Sequence, residues 1–254
     1  MRTSRIAAGL LASALFAAVP GTAGAADDTT PPVVKIHRGL VFTVGSQLSD
    51  ATFGAHLPAR ATWTITDENP IVRQIVNWES YQVGGELVAS GNATILDLRS
   101  TSFPYYAEGF ARVLVDADDP SDNRGEDVAG YSGELVQTDD TRFARSPDWA
   151  SVPCRLCYSD RATLRTTAFG ASMNYTFRGQ AIALIGGYSF LGGQFKVLID
   201  GVQSGPIRSE HGNPKKMAVV YQHRWNTNAT RTITIVAQNG RVDMDALVVQ
   251  VGSA

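Results

Sequence analysis

The chain has 254 residues, and its 22 Lys and Arg against 24 Asp and Glu give a formal net charge of −2 at pH 7. No basic patch is large enough for nucleic acid, so the composition excludes a nucleic-acid-binding protein. At about 100–150 residues per domain, a chain of this length predicts two domains.

The N-terminus is typical of a secretory signal peptide. Arg2 and Arg5 precede an apolar run at residues 6–19, and small residues follow at 23–25. We predict that residues 1–25 are removed after Ala25 and that the protein is secreted. The run is too short to span a bilayer comfortably, and no later segment predicts a membrane span.

The first half predicts a β-sandwich. Residues 26–32 form a polar, proline-ended linker, and short alternating runs separated by Gly, Pro, Asn and Asp then fill residues 33–138. This pattern is typical of an all-β fold of the immunoglobulin or fibronectin type. The strands are expected at residues 33–36, 61–66, 71–78, 92–98, 110–115 and 133–137.

An acidic run at residues 116–127 (DADDPSDNRGED) holds six carboxylates. Oxygen ligands of this kind suit Ca²⁺, but the spacing does not fit an EF-hand loop. We interpret the run as a solvated turn whose Asp and Asn side chains cap their own backbone.

A polar break at residues 138–141 ends the first half, and Cys154 and Cys157 follow it in PCRLC. A redox pair would need a βαβ setting, and a zinc site would need a second pair of ligands. In an exported protein the pair predicts a short disulfide that pins a surface turn.

The second half, residues 139–252, predicts a further sandwich, a jelly roll of seven or eight strands. The strands are expected at residues 164–167, 172–177, 181–185, 194–199, 217–221, 230–237 and 242–251. In residues 192–201 (GGQFKVLIDG) no helix follows the paired glycines, which argues against a phosphate loop. The alternating run and Asp200-Gly201 predict a tight hairpin instead. The fold class is therefore all-β, with two β-sandwiches in tandem.

The second half resembles the galactose-binding-like, or carbohydrate-binding-module-like, jelly rolls of exported bacterial proteins. The matching pieces are Trp149, Trp225 and residues 171–179 (ASMNYTFRG), 182–186 (IALIG), 193–201 (GQFKVLIDG), 232–236 (TITIV) and 242–249 (VDMDALVV). The first half resembles the immunoglobulin-like or fibronectin-like module that often precedes them, through residues 31–36, 61–67 and the acidic turn ending at Asn123. Residues 228–231 (NATR) depart from the family pattern, so the turn expected there differs.

Aromatic side chains are the candidates for sugar binding, because aromatic rings stack on the apolar faces of sugars. Tyr188 and Phe190 lie in a glycine-rich loop, and Tyr221, His223 and Trp225 are spaced by two, so that they share one face of a strand. The alternative is that these aromatic rings pack in the core.

Asp243 and Asp245 are the metal candidates. The resemblance implies a structural Ca²⁺ near the last strand, whereas the alternative is that these carboxylates pair with Arg231 or Arg241.

No catalytic motif accompanies these residues. Ser189 does not fit the nucleophile pattern G-x-S-x-G, and the four histidines lack metal-ligand spacing. We therefore expect a non-catalytic secreted protein that recognises a glycan or a cell-wall polysaccharide. The alternatives are a structural or adhesive spacer that binds a surface protein, and a non-enzymatic accessory to a secreted hydrolase.

Overall fold

The computed structural model describes residues 28–51, 54–153 and 162–252. Within these ranges there is no helix, and every strand ladder is antiparallel, which confirms the predicted all-β class. The strands are β1 (Val33–Ile36), β2 (Val41–Phe42), β3 (Ser49–Ala51), β4 (Gly54–Thr66), β5 (Arg73–Tyr81), β6 (Leu87–Thr94), β7 (Ser100–Tyr106), β8 (Phe110–Asp118), β9 (Arg124–Gln137), β10 (Ala144–Arg145), β11 (Ala150–Pro153), β12 (Ala162–Thr166), β13 (Ser172–Tyr188), β14 (Gln194–Ile199), β15 (Val202–Gln203), β16 (Arg208–Ser209), β17 (Lys215–Asn239) and β18 (Val242–Gly252).

The strands form two sheets. A five-stranded sheet contains β1, β2, β3, β4 and β7. A 13-stranded sheet follows the path β15-β14-β17-β13-β18-β9-β8-β5-β6, with β10, β11, β12 and β16 paired at its sides.

The two halves of the chain meet where β9 pairs with β18. The register places Leu247 opposite Val136 and Val248 opposite Leu135. β9 ends at Gln137, next to the polar break that marks the predicted domain boundary. One hydrogen-bonded sheet therefore runs through both predicted sandwiches.

Two hydrophobic cores lie on opposite faces of this sheet. Ala183 and Ile185 of β13 face a first core with Trp63 and Tyr105, whereas Ile182 and Leu184 face a second core. A strand that is buried on both faces needs apolar residues at every position, which explains the unbroken apolar runs of β13 and β18. The first core thus extends onto strands of the second half.

The hairpin predicted from GGQFKVLIDG is present. β14 and β15 pair across Asp200 and Gly201, whose φ angles are 51° and 82°. Two successive residues at positive φ are what a type I′ turn requires, and Gly201 adopts this conformation without steric cost. Asp200 Oδ1 also accepts a hydrogen bond of 2.7 Å from the Thr232 amide, so this carboxylate holds the turn.

Two strands are longer than predicted. β13 joins the two strands expected at residues 172–177 and 181–185, with a register shift between Gly179 and Ala181. β17 spans 25 residues and runs through residues 228–231, so the turn of the family pattern is absent there. Between the pairs Gly179–Ala229 and Ala181–Arg224, four residues of β17 lie opposite the single Gln180 of β13, and both strands continue past this irregularity.

The acidic run at residues 116–127 is not a solvated turn throughout. Asp116 and Asp118 are buried at the end of β8, where they pair with Arg124 and Arg73. The predicted backbone capping is nevertheless seen at Asp119, whose Oδ1 accepts the amides of Ser121 at 2.8 Å and Asn123 at 3.0 Å. The run therefore combines two buried carboxylates, each paired with a half-exposed arginine, with a self-capped turn.

The remaining predictions concern the signal peptide, the cysteine pair and the absence of a membrane span. The signal peptide at residues 1–25 and the pair Cys154 and Cys157 lie outside the described residues. Across the ranges that are described, no helix is long and apolar enough to cross a membrane.

Candidate functional site

A pocket of about 380 Å³ opens at one end of the second half. It lies between the end of β13, the starts of β17 and β18, and the strands β11 and β12. The lining residues are Val152, Pro153, Thr163, Arg165, Gly186, Gly187, Tyr188, Ser189, Pro214, Lys215, Lys216, Met217, Arg241, Asp243 and Asp245.

Gly186 sits where β13 approaches β18 closely. A Cβ atom on this residue would lie 2.6 Å from the carbonyl oxygen of Asp243 and 2.9 Å from Glu210 Oε1. Since real Cβ atoms do not approach oxygen so closely, the packing of this wall requires glycine. The neighbouring Gly187 has more room, because its nearest such contact is 3.6 Å.

Asp243 is the centre of a polar network in the pocket. Its Oδ1 is 2.6 Å from Arg165 Nε, and its Oδ2 is 3.2 Å from Arg165 Nη2 and 3.0 Å from Arg241 Nε. Arg165 is the cross-strand neighbour of Asp243, and Arg241 Nη2 donates to Ser189 Oγ at 3.0 Å. Several charge-assisted contacts thus fix both guanidinium groups.

Glu210 lies behind the wall of the pocket and is only 1% exposed. Its Oε2 accepts a hydrogen bond of 2.8 Å from the amide of Asp243. Burial raises the pKa of Glu210 well above its usual value, while the Asp243 amide acts in the opposite direction. The sequence does not reveal this residue, since Glu210 follows a two-residue strand and belongs to no motif.

Tyr188 forms the aromatic side of the pocket. The ring packs against the second core, and burial raises the pKa of the Tyr188 hydroxyl, with Glu210 adding to the effect. Of the five aromatic candidates predicted for sugar binding, only Tyr188 lines this pocket. Asp243 and Asp245, predicted as metal ligands, line the same pocket.

Phe190 does not line the pocket although it lies two residues from Tyr188. Its side chain is 64% exposed, beside Leu191 at 74%. The loop therefore divides its two aromatic residues between the pocket and the solvent.

Tyr221, His223 and Trp225 share one face of β17, as their spacing predicts. The ring centroids are 6.5 Å apart between Tyr221 and His223, and 4.5 Å apart between His223 and Trp225. Ser204 Oγ links the first two, since it accepts from the Tyr221 hydroxyl at 2.7 Å and lies 3.1 Å from His223 Nδ1.

This aromatic row is largely packed. Tyr221 is buried, and Arg208 lies over its ring at 5.5 Å. Arg231 lies over the ring of Trp225 at 4.3 Å, and burial, followed by the charge of Arg231, lowers the pKa of His223. The row therefore matches the alternative of aromatic packing more closely than an open sugar platform.

Carboxylates that could bind a cation lie in two places among the described residues. Asp243 pairs with Arg241, as the alternative to a metal site proposed, and also with Arg165. Elsewhere, Asp28, Asp67 and Asp119 each place a carboxylate oxygen within 4.8 Å of the others. A calcium ion at Asp243 and Asp245 stays a prediction.

No family model matches the chain, and no curated protein matches it. Among solved structures, a family two carbohydrate esterase from Cellvibrio japonicus is 14% identical with a TM-score of 0.35, over 49% of this chain and 35% of the esterase. The CBM36-1 domain of a multidomain xylanase from the hindgut metagenome of Trinervitermes trinervoides is 13% identical with a TM-score of 0.34, over 46% of this chain and 96% of the domain.

An exo-β-1,3-galactanase from Phanerochaete chrysosporium is 12% identical with a TM-score of 0.34, over 81% of this chain and 56% of the galactanase. The chain thus spans about a third of the esterase and about half of the galactanase. At these identities and TM-scores, the similarities do not assign a function to the chain.

Proposed function

We propose that the chain is a secreted, non-catalytic glycan-binding protein whose pocket beside Tyr188 holds a sugar unit. The observation that supports this most is the combination of an aromatic ring with the fixed Arg165–Asp243–Arg241 network in one pocket of about 380 Å³. That volume lies at the lower end of the range of about 300–1,000 Å³ for small-molecule pockets.

The chemistry of the lining suits a carbohydrate. A sugar offers an apolar C–H face, which the ring of Tyr188 can cover, and hydroxyl groups that both donate and accept hydrogen bonds. Arg165 and Arg241 supply donors, and Asp243 supplies an acceptor, already held in place by one another. Such preorganised groups lose little conformational freedom when a ligand binds.

The environment of the carboxyl groups supports binding without catalysis. Asp243 is held between two arginines, and Glu210 is closed off from solvent behind Gly186. Ser189 Oγ accepts hydrogen bonds from Arg241 Nη2 at 3.0 Å and from the Leu191 amide at 3.3 Å. These contacts hold Asp243, Glu210 and Ser189 in fixed positions, which suits the binding of a ligand.

Affinity electrophoresis of the full chain against a panel of neutral and acidic polysaccharides tests the proposal. We expect Tyr188→Ala to abolish the retardation seen with the wild type, and Tyr188→Phe to retain most of it because the ring is kept. Phe169→Ala, an aromatic truncation at a site that is 81% exposed and outside the pocket, is the control. Failure to bind any polysaccharide would contradict the proposal.

The exposed side chains of Phe190 and Leu191 favour a second function, binding of a protein partner at the cell surface. Cross-linking on intact cells tests it. A partner that is lost with Phe190→Ser and Leu191→Ser but retained with Tyr188→Ala would support this function over glycan binding.

A further inference from the structure

A second cleft, of about 360 Å³, lies where the two halves of the chain meet. Its lining comes from three places in the sequence: β1 with the loop that follows it, β4, and the middle of β17. The lining residues are Lys35, Ile36, His37, Arg38, Thr64 and Asn226. Since β17 belongs to the second half and the others to the first, the cleft exists only in the assembled chain.

The cleft has an excess of positive charge. Lys35 and Arg38 line it, and Arg224 of β17 lies beside it, where its Nη1 donates to Thr62 Oγ1 at 2.8 Å. Arg224 and Lys35 both act on His37, because their charges add to burial in lowering the pKa of this imidazole. Three permanent cations thus gather around one histidine.

Asp127 balances this charge in part. Asp127 Oδ1 lies 3.2 Å from Arg38 Nη2, and Asp127 Oδ2 accepts the amide of Ile36 at 2.7 Å. Within the described part of the chain, neither Lys35 nor Arg224 forms an ion pair. Three cations against one anion leave a formal excess of +2 at neutral pH, when His37 is uncharged.

We propose that this cleft is an oxyanion-binding site, which takes a sulfate, phosphate or carboxylate group between Lys35 and Arg224. The side chains of Thr64 and Asn226 border the same space and offer uncharged hydrogen-bond donors for the remaining oxygens. Guanidinium and ammonium groups bind such anions through charge-assisted hydrogen bonds. The site is separate from the pocket beside Tyr188 and does not depend on glycan binding there.

Calorimetric titration of the full chain at low ionic strength tests the proposal, with inorganic sulfate, inorganic phosphate and glucuronate as three separate probes. We expect saturable binding of at least one probe, weakened at least about ten-fold in the double variant Lys35→Gln and Arg224→Gln because two charge-assisted contacts are lost. Arg145→Gln removes an exposed charge on β10 and is the matched control, expected to bind like the wild type.

The relative affinities of the three probes show which type of anionic group the cleft binds, and a second measurement locates the site. Nuclear magnetic resonance signals of His37 and Asn226 should shift on addition of the bound probe, whereas those of Tyr188 should not. Absence of saturable binding for all three probes, or equal affinity in the double variant and the wild type, would overturn the proposal. Thermal unfolding of each variant establishes that it is folded.

Discussion

The contrast between two adjacent glycines gives a sharp test of the pocket wall. In Gly186→Ala, the new Cβ would lie 2.6 Å from the carbonyl oxygen of Asp243, 2.9 Å from Glu210 Oε1 and 3.2 Å from Val220 Cγ2. Two of these three atoms belong to a backbone carbonyl and a buried carboxyl that cannot move freely, so β13 and β18 must separate. Overpacking of this kind costs about 1–3 kcal/mol.

For a chain of this size each kcal/mol lowers the melting temperature by about 2–4 °C, so the expected loss for Gly186→Ala is about 2–12 °C. Gly187→Ala is the control, because its Cβ would make only ordinary contacts of 3.6 Å with Lys215 O and 3.9 Å with Asp243 Cβ. Its free energy of unfolding should stay within about 0.5 kcal/mol of the wild type. Urea and thermal denaturation followed by circular dichroism measure both. Equal stability of the two variants would refute the close approach of β13 and β18.

Three further predictions follow from buried polar groups and from the shared sheet. Because burial raises the pKa of Glu210, the contribution of this carboxyl group to folding stability is most favourable below the usual glutamate pKa and is lost as pH rises through the raised value. Glu210→Gln should therefore gain stability relative to the wild type between pH 4 and pH 8. A difference in urea midpoint between the two proteins that does not change with pH would contradict this. Arg231 donates to the carbonyl oxygens of Gly179 at 2.8 Å and Ala229 at 3.1 Å. Arg231→Lys should therefore lower the free energy of unfolding, measured by chemical denaturation, by about 1–3 kcal/mol. Arg178→Lys, at an exposed site, is the control and should not lower it. A fragment of residues 139–254 lacks β9 and leaves uncovered the face of β13 and β18 that packs against the first core. This fragment should bind a hydrophobic dye and lack the cooperative thermal transition of the full chain. A cooperative transition in the fragment would contradict this.

The sequence predicts the features that depend on neighbouring residues. Asp200-Gly201 marks a tight turn through local backbone chemistry, and the spacing of Tyr221, His223 and Trp225 places the rings on one face. Turn type and the alternation of side chains along a strand both depend on only a few consecutive residues.

Features that depend on distant pairing are not visible in the sequence. The pairing of β9 with β18 joins Val136 to Leu247, more than a hundred positions away, and no local pattern specifies that register. The same holds for Asp118 and Glu210, which look like solvated acids until Arg73 and the amide of Asp243 are brought to them. Burial of a polar residue is decided by its partners, which the fold supplies from elsewhere in the chain.

The most direct test of glycan binding at the pocket beside Tyr188 is the affinity of the full chain for a retained polysaccharide, compared between the wild type and Tyr188→Ala. The account predicts that loss of the ring removes most of the affinity while the melting temperature of the variant still shows a folded protein. Unchanged affinity in a folded Tyr188→Ala variant would contradict it.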